Sequence, residues 1–191
     1  AYLIGSIPTG YIIVKLKTGQ DIRQVGSGST GATNVKRVLG KKWFFIVMLL
    51  DALKGALPVL ISKYFLSAGM LLDPYGIYAV ACAVFVIVGH SKPVFLGFKG
   101  GKSVASGVGT ILALSPLAGL IIALIWGAVT YISRYVSLGS IVALVLSPFI
   151  MYFLNAPAAY VAYCALAAVY IVYLHRENIK RLIDGNENKV R

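Results

Sequence analysis

At 191 residues the chain is 59% hydrophobic and only 13% charged, with a mean hydropathy of +0.83. Soluble domains carry about 25% charged residues, so a soluble enzyme, a disordered tail and a disulfide scaffold are excluded. Eighteen Lys and Arg against six Asp and Glu give a net charge of +12. Lying between apolar runs, these charges point to membrane topology and anionic ligands rather than to nucleic acid.

The apolar runs are continuous rather than alternating, which predicts helices and not the strands of a barrel. In chain order, residues 1–16 are apolar but short, interrupted by Lys15. They lead directly into a basic loop, so no cleavable signal is expected, and the lack of an initiator Met points to a few residues before Ala1. Further runs cover residues 43–66, 75–89, 104–132, 136–154 and 158–174. As one helix, 104–132 is about 44 Å long, well beyond a hydrocarbon core of about 30 Å. Ser115-Pro116 interrupts it, and Gly107, Gly109 and Gly119 loosen it.

Charge decides between one long span and a hairpin. A hairpin brings Lys15 to Lys42, Lys92 to Lys102, Arg134 and Arg176 to Arg191 to one face, sixteen of the eighteen cations. That is the arrangement the positive-inside rule favours. The opposite connections, 67–74 and 155–157, contain no Lys or Arg. The expected fold is therefore an all-α polytopic integral membrane protein, a single domain over 1–191. It has seven helical segments, two of them short or tilted, with the N-terminus outside and the C-terminus in the cytoplasm.

Three polar segments interrupt this pattern on the basic side. The first is Val25-Gly26-Ser27-Gly28-Ser29-Thr30-Gly31-Ala32-Thr33-Asn34-Val35-Lys36-Arg37. Glycines let successive N–H groups turn toward an anion, hydroxyls add donors, and Arg37 offers a bidentate fork for phosphate. A flexible Gly/Ser linker is the bland alternative. A helix resuming after Asn34 favours the anion site. The second segment, from Gly89-His90 through Lys99-Gly100-Gly101-Lys102-Ser103, resembles a phosphate loop. It is not a Walker A motif, because Leu96 stands where the first glycine belongs and the flanks are apolar helices. Headgroup anchoring by Lys99 and Lys102 is the alternative there.

The third segment is His175-Arg176-Glu177-Asn178-Ile179-Lys180-Arg181, with His175 and Asn178 on one helix face. Glu177 and Arg181 are spaced for an i,i+4 ion pair, and Ser137 to Ser140 adds hydroxyl donors at the start of the sixth span. Within the second span, Asp51 and Lys54 are expected to neutralise each other. Lys63 is expected to snorkel outward, and the Tyr and Trp near span ends form an aromatic belt. Cys82 and Cys164 lie in apolar runs as small core residues. Six scattered acids form no Mg²⁺ cluster, and neither histidine has a nearby acid in a dyad spacing. No metal or other cofactor is expected.

The motifs GSGSTGATNVKR (26–37), GHSKPVFLGFKGGKSVA (89–105) and His175-Arg176-Glu177-Asn178 resemble the bacterial acyl-phosphate:glycerol-3-phosphate acyltransferases of the PlsY type. The opening Gly5 to Gly10 is similar as well, so the resemblance runs nearly end to end. It implies transfer of a fatty acyl group from acyl phosphate to sn-glycerol 3-phosphate, giving lysophosphatidate and inorganic phosphate in phospholipid synthesis. It implies a multi-pass protein of the bacterial inner membrane whose active site faces the cytoplasm. Its partners are then the two substrates and membrane lipids, without nucleic acid. The same resemblance implies catalytic roles for Ser27, Arg37, His175 and Asn178. Substrate binding is implied for Gly28, Ser29, Thr30, Gly31, Thr33, Asn34, Lys36, His90, Lys99, Gly100, Gly101, Lys102 and Ser140. An organophosphate transporter is the competing class, disfavoured because the polar residues gather at one interface and no repeat is visible. A phospholipid-binding structural protein leaves the two glycine clusters unexplained.

Overall fold

The computed structural model describes residues 1–70 and 72–190. Leu71 of the predicted outer connection and Arg191 of the basic tail lie outside the described residues. Among the described residues there is no strand, and ten α-helices follow one another. They are α1 (Tyr2–Ser6), α2 (Thr9–Thr18), α3 (Ala32–Leu39), α4 (Lys41–Ser67), α5 (Ile77–Ser91), α6 (Val104–Leu114), α7 (Pro116–Ser133), α8 (Val136–Phe153), α9 (Ala158–Leu174) and α10 (Arg176–Ile183). Single 3-10 turns occupy Ile22–Gln24 and Val94–Leu96.

Among the described residues, four stretches are long and apolar enough to cross a bilayer: Lys41–Ser67, Ile77–Leu96, Pro116–Ser133 and Val136–Phe153. A fifth, α9 with α10, qualifies as a pair bent by 62°. The outward surfaces of α4 and α7 carry exposed Leu49, Leu53, Leu57, Leu117, Leu120 and Leu124, a face suited to lipid tails. The largest buried apolar cluster is drawn from α4 through α9, including Val59, Ala83, Ile111, Ile122, Met151 and Tyr163, and two smaller ones centre on Val14 with Val47 and on Leu144 with Ile171.

The first predicted segment is not one helix. Pro8 has no N–H and disfavours helical geometry at Ile7, so the chain breaks there into α1 and α2. Lys54 Nζ reaches the Ile7 carbonyl at the break, at 2.7 Å. The Asp51–Lys54 pair forms as expected, at 2.8 Å.

The predicted interruption at Ser115-Pro116 is present, with α6 ending at Leu114 and Pro116 opening α7. On a continuous helix Leu112 and Gly119 would stand about 10 Å apart along the axis. Instead a Cβ added to Gly119 would lie 2.6 Å from Leu112 Cα, so the chain turns sharply back. Lys63, expected to snorkel, has a specific partner at the end of α6. Its Nζ donates to the carbonyls of Ala113 and Leu114 at 3.0 and 3.3 Å, because the last turn of α6 leaves those acceptors open.

α4 and α6 form the tightest helix pair, and small residues allow it. A side chain at Gly55 would strike the Ser106 carbonyl, and one at Gly109 would strike that of Ala52. Gly109→Val should therefore destabilise the protein by about 1–3 kcal/mol through overpacking. Gly127→Ala, which meets open space on α7, should be neutral or stabilising by up to about 1 kcal/mol. Denaturation of both variants in lipid micelles checks the opposite signs.

Candidate active site

A cavity of about 750 Å³ opens where the three polar segments converge. One half is polar and cationic, with Ser27, Lys36, Arg37, Lys102, His175 and Asn178 on its wall. The other half runs between α4, α6 and α7 and is lined by Phe44, Met48, Val108, Leu112, Ala123 and Trp126.

The first wall is the loop before α3. Buried Asn34 holds it in shape: Oδ1 accepts the Ser27 N–H at 3.1 Å, and Nδ2 donates to the carbonyls of Ile22, Val25 and Ser29 at 3.2, 2.8 and 3.0 Å. Asn34 lines the cavity, with its side-chain amide engaged by the loop. Ser29 Oγ accepts from Gly31 N, and the Gly31 carbonyl takes the amides of Asn34 and Val35. The amides of Ala32 and Thr33, first in α3, remain available to an anion. Ser29, Gly31 and Thr33 reach the cavity; Gly28 and Thr30 do not. Gly28 makes a turn at φ 68°, and the Thr30 carbonyl is packed against Gly10 of α2. Arg37 is exposed at the mouth, with no hydrogen bond or ion pair among the described residues.

The second wall departs further from the expected anion loop. The N–H groups of Gly100 and Gly101 donate to the carbonyls of Ser91 and His90 at 3.2 and 3.1 Å. They close the end of α5 and are not free for a ligand. Lys99 is exposed and outside the cavity. Lys102 turns inward, and its Nζ donates to Asn178 Oδ1. Next to it, Ser103, Val104 and Ala105 bring the N-terminus of α6 to the cavity. The anion-facing amides thus follow the double glycine rather than belonging to it.

The third wall is the bend between α9 and α10. His175 Nδ1 pairs with the Ile171 carbonyl at 2.8 Å, an arrangement that places the proton on Nδ1 and leaves Nε2 an acceptor. Glu187, which the sequence reading did not single out, accepts from Ser137 Oγ at 3.0 Å and from Asn178 Nδ2 and Arg181 Nε at 2.8 Å. Arg181 is thereby drawn from Glu177, which instead lies 3.9 Å from Arg176, so the i,i+4 pair does not form. The chain folding back after α10, with Val190 N on the Arg134 carbonyl, causes this. The only available signal was an acid that, with Asp184, lies between Arg181 and Lys189. Trp126 is likewise no mere belt residue, because its Nε1 donates to Ser140 Oγ at 3.3 Å inside the cavity.

Burial pushes the Lys102 ammonium down to about 8, helped by the charges of Arg181 and Arg37. Burial alone would raise Glu187, but hydrogen bonds from Asn178, Arg181 and Ser137 hold its carboxyl below the ordinary value. The polar half therefore carries a fixed anion on its rim and an ammonium easily neutralised by alkali.

A family model described as glycerol-3-phosphate acyltransferase matches residues 1–185. The chain belongs to the glycerol-3-phosphate acyltransferase family. It is 46% identical to a glycerol-3-phosphate acyltransferase of Desulforamulus reducens, over all of this chain and 92% of that one. One from Syntrophotalea carbinolica is 45% identical, covering 99% and 93%. Among solved structures it is similar to PlsY (YgiH), an integral membrane glycerol 3-phosphate acyltransferase. The glycerol 3-phosphate form of that protein superposes at a TM-score of 0.90 with 40% identity, over all of this chain and 92% of the other. The lysophosphatidic acid form gives 0.86 and 38%, covering 100% and 91%.

In this acyltransferase family member the Lys102 amine should titrate near pH 8. The ¹⁵N shift of its Nζ, identified by loss of the signal in Lys102→Gln, measures that midpoint.

Proposed function

We propose that the protein transfers a fatty acyl group from acyl phosphate to the 1-hydroxyl of glycerol 3-phosphate, releasing lysophosphatidate and inorganic phosphate. The observation that carries this reading is one cavity with a cationic half and an apolar half. Two phosphate-bearing substrates need cations and free amides, and an acyl chain needs a dry groove continuous with them. The amides of Ala32 and Thr33 with Arg37 form one phosphate cradle. Lys102 with the N-terminus of α6 forms the other. Both belong to the polar half.

In the transfer, the hydroxyl oxygen bonds to the acyl carbon while the bond from that carbon to the phosphate oxygen breaks. The hydroxyl proton leaves through His175 Nε2 or directly to the departing phosphate. Acyl phosphate is already activated, so positioning and charge neutralisation by Arg37 and Lys102 supply most of the acceleration. On this reading the site faces the cytoplasm of a bacterial inner membrane, with the N-terminus outside. Support comes from the sixteen cations that then share the inner side.

Purified protein in lipid, given palmitoyl phosphate and glycerol 3-phosphate, should release phosphate in step with lysophosphatidate. Turnover with palmitoyl-CoA alone would reject the donor. Uptake of labelled glycerol 3-phosphate into vesicles without chemistry would point to transport. His175→Ala should lower kcat more than about tenfold, roughly 1.4 kcal/mol; a smaller loss removes it as an essential base. The kcat/KM for glycerol 3-phosphate should fall as pH rises through about 8, since Lys102 is cationic below that value and neutral above it.

A further inference from the structure

A buried polar cluster sits within the second wall, with Asp51 and His90 reaching the cavity lining, and the proposed transfer step gives it no role. Asp51 and Lys54 of α4 are paired at 2.8 Å, with side chains 2% and 8% exposed. Asp51 Oδ1 lies 3.7 Å from His90 Nδ1 on α5. The same Nδ1 shares a hydrogen bond of 3.1 Å with Ser106 Oγ, in the first turn of α6. Two residues distant in sequence from His90 in either direction therefore assemble around it: an acid from α4 and a hydroxyl from α6.

The other edge of the imidazole meets the glycine pair. A Cβ added to Gly101 would fall on His90 Nε2, so the ring occupies the space a side chain would need. The His90 carbonyl takes the Gly101 N–H at 3.1 Å. Ser103 Oγ, two residues on, is anchored to the Ile87 carbonyl at 2.6 Å. Residues 101, 103 and 106 are thus each held by α5, and Lys102 projects from the middle of that pinned segment toward Asn178. The negative charge of Asp51 beside the ring is offset by Lys54, so the support carries no net charge into the bilayer.

We infer that His90, backed by Asp51 and Ser106, is a positioning residue for glycerol 3-phosphate: it fixes the 101–106 segment so that Lys102 and the N-terminus of α6 face the substrate phosphate. Glycine is required at 101 by the His90 ring, not by the anion. The inference rests on the glycerol 3-phosphate reading and deepens it, and it is independent of which acyl donor is used.

A double-mutant cycle on the full chain in lipid tests it, reading the KM for glycerol 3-phosphate at saturating donor. Gly101→Ala should raise that KM about tenfold, and His90→Ala about fivefold, with the KM for palmitoyl phosphate within about twofold of wild type. In the His90→Ala background, adding Gly101→Ala should cost less than a further twofold or so, because the collision is gone. Additive losses overturn the inference. His90→Asn, which keeps a polar group near the Nδ1 position, should recover most of the His90→Ala loss; no recovery also overturns it. Should His90→Ala fail to fold, Ser106→Ala replaces it: a raised KM with kcat retained supports the inference, and an unchanged KM rejects it. Wild-type protein that turns over neither palmitoyl phosphate nor palmitoyl-CoA would instead reject the functional reading beneath it.

Discussion

A helix too short to cross a membrane must have both ends satisfied, and α6 is such a helix. Eleven residues give it about 16 Å, roughly half a hydrocarbon core of about 30 Å. Lys63 closes its C-terminus from α4, and its N-terminus opens on the cavity. The close approach of α4 through Gly55 and Gly109 holds the half-helix in place. The reversal at Ser115, the position of α7 and the presence of a groove between α4 and α7 all follow from that stop.

The same geometry explains why one cavity combines opposite chemistries. Its polar half needs donors that water would otherwise compete for, and these come from helix starts and from side chains on three separate segments. Its apolar half needs no donors, only the absence of a packed neighbour. α4 and α7 supply this because both pack on α6 but not appreciably on each other. Glu187 then closes one side of the polar half by tying Ser137, Asn178 and Arg181 together.

Hydropathy and spacing made most of the helices legible. The interruption at Ser115-Pro116 could be read because Pro116, the glycines and an excess of length all marked it. The break at Pro8 was equally visible in principle, yet a short apolar run gave no length excess to prompt it. For the site, residue chemistry identified the right segments but not always the right atoms. A helix start was anticipated after Asn34, but α3 begins at Ala32, so the segment was legible and the free amides of Ala32 and Thr33 were not. Those of Gly100 and Gly101 could not be excluded, because their consumption by α5 depends on a fold between distant residues. Glu187 and the grouping of Asp51, His90 and Ser106 were hidden for the same reason: sequence separation carries no trace of helix packing. The pairing of Lys63 with the end of α6 was hidden likewise, because its two acceptors lie about fifty residues further along the chain.

The groove has an edge that is not sealed: Leu49 and Leu112, which line it, are 59% and 36% exposed, and Leu124 of α7 is 64% exposed. A chain lying there touches bilayer along its flank, so methylenes entering it exchange one hydrocarbon surrounding for another. The supply of an acyl donor is then governed by its mole fraction among the lipids, and diluting the membrane with inert lipid starves the groove even when the total amount in the sample is constant. The water-soluble substrate obeys ordinary molar concentration at the opposite rim. On the proposed reaction the protein stands at a phase boundary and draws one reactant from each side of it.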